Sequence, residues 1–191
     1  GAASSAHAAS QTWKDVATDG NWTTATNWVG GAVPGVTRTA NANNADIVTF
    51  NAVSNFSTIA IDANRFINSI TFPAGAGAYT FTGGLLYLSQ NGSINVAADV
   101  TNPQVFSNDW RPQTGSSTNG VYSFINNATS PAAKLTFNAP AVTFTNGNGR
   151  PTTLTLDGTN TGDNTISSNL TDATLTQAVN VINKNGTGTW I

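Results

Sequence analysis

Residues 67–97 read INSITFPAGAGAYTFTGGLLYLSQNGSINVA, and their rhythm decides the fold. Four short runs of apolar, β-branched and aromatic residues stand out: Ile67–Phe72, Tyr79–Thr82, Leu85–Leu88 and Ile94–Ala97. Between them lie Gly75-Ala76-Gly77, Gly83-Gly84 and Asn91-Gly92. Glycine and asparagine tolerate the backbone that tight turns demand. Ile70/Phe72, Tyr79/Phe81 and Ile94/Val96 alternate with period two, which gives each strand one buried and one wet face. No segment shows the 3.6-residue period of a helix.

The same rhythm runs outward in both directions. Phe56–Ile61 precedes this stretch. Val121–Ile125, Leu135–Phe137, Val142–Thr145, Leu154–Leu156, Thr165–Ser167 and Val179–Ile182 follow it, punctuated by Asn146-Gly147-Asn148-Gly149 and Asp157-Gly158. Two architectures suit many short strands with Gly/Asn turns: an antiparallel β-sandwich and a parallel β-solenoid of stacked coils. Composition favours the solenoid. The 191 residues include 30 Thr, 25 Asn and 15 Ser, whereas charged residues make up 8%, against roughly 25% in an average globular protein. Stacked coils set like residues above one another. Asn, Thr and apolar ladders stack well there, and like charges would repel. The expectation is an all-β parallel solenoid, with the sandwich as the alternative.

Three zones are expected. Residues 1–12, GAASSAHAASQT, are low in complexity and read as a leader or docking tail. Within it, Ala6-His7-Ala8 has a small-x-small pattern without an apolar stretch before it. Residues 13–55 carry Trp13, Trp22 and Trp28 among the turns Gly20-Asn21, Gly30-Gly31 and Pro34-Gly35, and read as an irregular cap. Such a cap would close a solenoid end, which otherwise exposes its core and strand edges. Residues 56–191 form the column. The stretch 99–131, with Asn102-Pro103, Asp109-Trp110-Arg111-Pro112 and Gly115-Ser116-Ser117, reads as a long excursion from the coil.

Composition also sorts function classes. Seven Lys+Arg stand against nine acids, all Asp, for a net charge of −2. That leaves no electrostatic footprint for nucleic acid. No apolar run approaches the ~18 residues that span a bilayer. Without Cys there are neither disulfides nor thiolate metal sites. Without Met, the chain reads as a processed form or a part of something longer. Low charge and abundant Thr/Asn fit an extracellular or bacterial surface location.

The final residues, Lys184-Asn185-Gly186-Thr187-Gly188-Thr189-Trp190, carry a Lys-x-Gly-x-Gly-x-Trp pattern. It resembles the opening of the autotransporter-associated β-strand repeat. Gly20-Asn21-Trp22, Asn27-Trp28, Gly30-Gly31, Val33-Pro34, Asp46–Asn51 and Ile67–Phe72 resemble the leader of such proteins. The resemblance covers roughly a third of the chain, in two patches. It implies a large bacterial surface or secreted protein whose body is a right-handed β-helix, with this chain as its N-terminal part. That family has no common catalytic residues to carry over.

Candidate chemistry is sparse. His7 is the single histidine, so neither a Ser-His-Asp triad nor a multi-histidine metal site fits. Asp109, Trp110 and Arg111 make the best sugar-facing patch; the plainer reading is a surface loop with a weak ion pair. Asp157, Asn160 and Asp163 present oxygen ligands at three-residue steps, as a Ca²⁺ ion would take them. The plainer reading there is a turn in which Asx side chains bond their own backbone. No other cofactor is expected. Asn-x-Ser/Thr occurs at Asn21, Asn55, Asn91, Asn127, Asn169 and Asn185, as chance predicts in a chain so rich in these residues. The leading functional expectation is a non-enzymatic structural protein of the cell exterior. It would assemble as an oligomer or filament through its N-terminal tail or solenoid ends. The alternatives are a carbohydrate-binding or adhesive module with glycans as partners and, behind it, a polysaccharide-degrading enzyme.

Overall fold

The computed structural model describes residues 10–39, 43–114, 119–146, 151–172 and 180–191. Strands β1 (Gln11–Thr12) and β2 (Val36–Thr37) belong to the cap. The first coil holds β3 (Ile47–Thr49), β4 (Thr58–Ile61) and β5 (Arg65–Ile67). The second holds β6 (Ser69–Phe72), β7 (Tyr79–Gly83) and β8 (Leu86–Leu88). The third holds β9 (Ser93–Val96), β10 (Gln104–Phe106) and β11 (Trp110–Thr114). The fourth holds β12 (Gly120–Asn126), β13 (Leu135–Phe137) and β14 (Ala141–Asn146). The fifth holds β15 (Thr152–Gly158), β16 (Thr165–Ile166) and β17 (Asn169–Asp172), and β18 (Val181–Lys184) follows it. Every third strand stacks on its predecessor, so the coils build three sheets, ordered β1-β3-β6-β9-β12-β15-β18, β4-β7-β10-β13-β16 and β2-β5-β8-β11-β14-β17. The chain is a β-solenoid. Among the described residues there is no α-helix, and the one helical turn is the 3₁₀ segment Ala25–Asn27.

The sandwich alternative is excluded by strand direction. The strand pairs of the column are parallel, and the antiparallel pairing β2·β5 belongs to the cap. A parallel ladder needs a crossover between partners; here the crossover is the rest of the coil. The interior is built from ranks of like residues. In the first sheet Val48, Ile70, Ile94 and Phe124 stand in register. In the second, Ile59, Phe81, Phe106 and Phe137 do so. All eight are fully buried. The rings of Phe81 and Phe106 stack at 4.5 Å and 14°, and those of Phe106 and Phe137 at 4.9 Å and 16°.

Two expected boundaries move. Residues 99–131 are no excursion, because β10, β11 and β12 lie within them and continue the ladders. Proline misleads here: Pro112 sits where β11 switches partner, pairing with β8 through Trp110–Pro112 and with β14 at Gln113–Thr114. A residue without an N–H is tolerated at such a break. The cap is also shorter than residues 13–55, since Ile47–Thr49 already opens the first coil. Of the expected leader, residues 1–9 lie outside the described residues. Its end does not hang free: Gln11 and Thr12 pair with Val48 and Thr49.

Burial gives the column an alkaline limit. The Tyr79 hydroxyl donates to the Ala52 carbonyl at 2.6 Å. Burial, helped by the negative charge of Asp15, pushes its pKa up to about 12. Tyr122 is displaced upward as well, by burial. An unfolded tyrosine ionises near 10. Below that pH both states are neutral. Between about 10 and about 12 only the unfolded chain ionises, so stability is lost across that window. For Tyr79 the loss should reach about 2 kcal/mol, the full shift being discounted because water still screens part of the hydroxyl. Denaturant melts on either side of about pH 10 check this, with tyrosinate absorbance followed in parallel. Tyr79→Phe should flatten the dependence.

Candidate functional site

The chemistry-bearing features lie at the two ends of the column and in one side cleft. At the N-terminal end, Trp13, Trp22 and Trp28 ring Phe50, with centroids 6.0, 6.3 and 6.1 Å from it. All four side chains are fully buried. Each indole N–H is satisfied. Trp13 Nε1 donates to Ser54 Oγ at 3.1 Å, Trp22 Nε1 to the Pro34 carbonyl at 3.1 Å, and Trp28 Nε1 to the Trp22 carbonyl at 2.8 Å. Beside them Arg65 stands at an inward position, in register with Leu86. Its guanidinium donates to the Gly35 carbonyl at 3.0 Å and grips Asp62 with two bonds, at 2.8 and 2.7 Å.

The cap loop is pinned by Asn27, whose side chain is fully buried. Its Oδ1 accepts from the Thr18 and Asp19 N–H groups, at 2.7 and 3.3 Å. Its Nδ2 donates to Asp19 Oδ1 and to the Asp19 and Asn21 carbonyls. Asp19 is held below the usual carboxylate range first by the Asn21 backbone N–H, then by the Asn27 amide. The strand edge is closed as well. The Thr12 carbonyl accepts from the Val29 N–H and the Lys14 N–H donates to the Asn27 carbonyl, both at 2.9 Å, so residues 27–29 cover the outer side of β1.

The C-terminal end lacks such closure among the described residues. All four residues of β18 are exposed. Ile182 stands in register with Leu154, an inward position, yet Leu154 is fully buried and Ile182 is 49% exposed. Val181 and Ile191 are exposed too, and Leu156, Ile166 and Leu170 are only partly covered. The Lys-x-Gly-x-Gly-x-Trp residues build the last corner here. A Cβ on Gly188 would stand 2.6 Å from the Asn160 carbonyl, and Gly186 lies as tightly over Gly158. The corner backbones stack too closely for side chains. Trp190 Nε1 donates to the Asp157 carbonyl at 3.2 Å, and Lys184 Nζ to the carbonyls of Asn185 and Gly186.

A cleft of about 550 Å³ opens on the side of the column, lined by Asn43, Asn44, Asn68, Ser89, Gln90 and Asn91 with Ala45. Its described lining carries no charge. The Asn44 N–H donates to Ser89 Oγ at 3.1 Å, and Asn68 Nδ2 to the Gln90 carbonyl. No sequence signal pointed to this cleft, because it gathers carboxamides from three separate stretches.

The sequence-derived sites fare differently. Trp110 is fully buried, with Phe124, Phe137 and Phe144 at 4.8, 5.5 and 6.4 Å. No sugar can stack on it, and the patch with Asp109 and Arg111 loses its platform. In a strand, alternation sends Trp110 in and its neighbours out. The proposed Ca²⁺ ligands are not assembled. Asn160 is fully buried, and its Oδ1 accepts from the Gly162 N–H and from Asn164 Nδ2. Asp157 Oδ1 accepts from the Gly158 N–H, and the exposed Asp163 stands 3.9 Å from Lys134. Among the described residues no group of three His, Cys, Asp or Glu side chains could hold a metal ion. His7 lies outside the described residues.

Asn160 belongs instead to a buried amide network that sequence reasoning missed. Asn126 Nδ2 donates to Asn164 Oδ1 at 2.7 Å and to the Ala133 carbonyl at 2.7 Å. Asn164 Oδ1 also accepts from the Leu135 N–H at 2.8 Å. Asn160 Nδ2 donates to the carbonyls of Ala128 and Ser130, both at 2.8 Å. No protein-family model, curated protein or solved structure matches the chain.

Proposed function

We propose that the chain is a non-enzymatic structural module of the bacterial cell exterior, a β-solenoid column that attaches through the strand edge of β18. The observation that carries this reading is the contrast between two strand edges. That of β1 is covered by residues 27–29 beside three buried indoles, whereas β18 has all four of its residues exposed, Val181 and Ile182 among them. A parallel edge with an apolar residue, Ile182, at an inward position is a template for another β-strand. The resemblance to autotransporter-associated repeats, themselves β-helical, supports the same reading. So does the use of the carboxylates: Asp19, Asp46 and Asp62 hold the backbone or Arg65 in place.

Attachment through the N-terminal cap is disfavoured, because Val29 already occupies the edge of β1. In the 191-residue chain by itself, a second copy meets β18 about a two-fold axis, each copy using the same patch. Light scattering coupled to size exclusion should show concentration-dependent dimers of the 191-residue chain. Ile182→Lys should leave monomers, since a charge would be buried without a partner. A chain that stays monomeric at every concentration, or an Ile182→Lys variant that associates normally, would sink this reading.

A further inference from the structure

We propose that the outer face of the second sheet binds the surface of ice. Strand register places one outward rank at Thr58, Thr80, Val105, Thr136 and Thr165. A second rank follows two residues on, at Ala60, Thr82, Ser107, Asn138 and Ser167. Ala60 pairs directly with Thr82. The N–H groups of Ser107, Asn138 and Ser167 donate to the carbonyls of Phe81, Phe106 and Phe137, which carries the ladder one residue past each strand. The intervening residues Ile59, Phe81, Phe106 and Phe137 are fully buried, so the two ranks face out. None of the ten positions carries a charge.

The array is held in register from beneath. The Phe81, Phe106 and Phe137 rings, on the same strands, stack at 14° and 16°. Ranks in a parallel sheet repeat every ~4.8 Å across the strands and every ~6.6 Å along them. In ice, tetrahedral water with O···O bonds of about 2.75 Å sets second neighbours about 4.5 Å apart and an axial repeat of about 7.3 Å. Both spacings agree within roughly a tenth. Threonine suits this role, because its branched side chain is stiff at χ1 and presents a hydroxyl and a methyl at fixed positions. Hydroxyls on this face are anchored further: Thr165 Oγ1 donates to the Asp163 carbonyl at 3.0 Å and Ser167 Oγ to the Phe137 carbonyl at 3.3 Å. Their lone pairs remain for lattice water. A charged group would hold its own hydration shell and break the match. A crystalline polysaccharide is the other ordered lattice, but the face carries no aromatic ring on which sugars would stack.

The other outward faces differ. In the first sheet the ladder Thr49–Thr71–Asn95–Ile125–Asp157 ends in a carboxylate. In the third, Phe66 and Tyr87 are covered, with the Arg38 guanidinium 4.7 Å above the Tyr87 ring. The test is ice recrystallisation inhibition and adsorption of fluorescently labelled chain to a growing ice crystal. The unmodified chain should inhibit and adsorb. Thr136→Lys should lose both, and so should Thr136→Tyr, which keeps strand propensity but breaks the plane. Thr155→Lys, on the first sheet, should retain both, and circular dichroism should show all variants folded. The inference is overturned if the unmodified chain leaves ice growth unchanged. Folded Thr136 variants that stay active overturn it too, as does adsorption to crystalline cellulose or chitin in place of ice.

Discussion

Asn164→Ala is expected to cost about 3–5 kcal/mol and to loosen the fourth and fifth coils first. Its amide is fully buried and joins three coils. Oδ1 accepts from the Leu135 N–H and from Asn126 Nδ2, at 2.8 and 2.7 Å; Nδ2 donates to the Thr189 carbonyl at 2.9 Å. Alanine strands the Leu135 N–H away from water and takes the donor from the Thr189 carbonyl. Each stranded group costs roughly 1–3 kcal/mol, and the lost bonds add to that. Asn164→Asp discriminates between volume and hydrogen bonding. It keeps the shape but, once ionised, donates nothing to Asn160 Oδ1 or the carbonyls. The buried aspartate's pKa should then lie above its unfolded value, so the folded state gains as pH falls and loses as pH rises through that value. Urea melts across the acid range test this. The exposed Asn138 provides the control: Asn138→Ala should change stability by no more than about 0.5 kcal/mol. Equal costs for Asn164→Ala and Asn138→Ala would remove the network from the account.

How much of this was readable beforehand depended on the length scale of the signal. The period-two alternation of Ile59/Ile61 or Leu135/Phe137 is local, so the strands and the solenoid class follow from it. The three indoles were readable because large aromatics near one end of a column have few places to go other than its open core. Trp110 was misplaced because its neighbours Asp109, Arg111 and Pro112 look like a loop. Only the ladder to Leu86 fixes which of them points inward. Asn160 was misread for a related reason. An Asx residue beside glycines satisfies a turn and a metal site equally well on paper. Here its fate is set by Ala128, Ser130 and Asn164, contributed by other turns of the column. The side cleft and the two outward ranks of the second sheet were invisible because coil length varies. Thr58 and Thr80 are 22 residues apart, whereas Val105 and Thr136 are 31, and no fixed period aligns them.

Trp22→Ala is expected to open the sealed end, at a cost of about 3–5 kcal/mol for a truncated buried aromatic. Trp22 is fully buried, lies 5.0 Å from Trp28, and bonds through its indole to the Pro34 carbonyl. Removing it empties the centre of the cap and releases the segment that Arg65 and Trp22 hold at Pro34 and Gly35. In a column each coil contacts only its neighbours, so damage at the end spreads inward by fraying rather than by collapse of the whole. Hydrogen exchange separates these outcomes. The Phe50 N–H, bonded to the Thr71 carbonyl, should lose most of its protection, while the Asn138 N–H, three coils away on the Phe106 carbonyl, should keep it. With the cap displaced, β3 becomes an unprotected edge, and the variant should aggregate at concentrations where the parent chain does not. Uniform loss of protection along the column would mean that the cap and the coils fold as one cooperative unit. Unchanged protection at Phe50 would mean that Trp13 and Trp28 suffice to seal it.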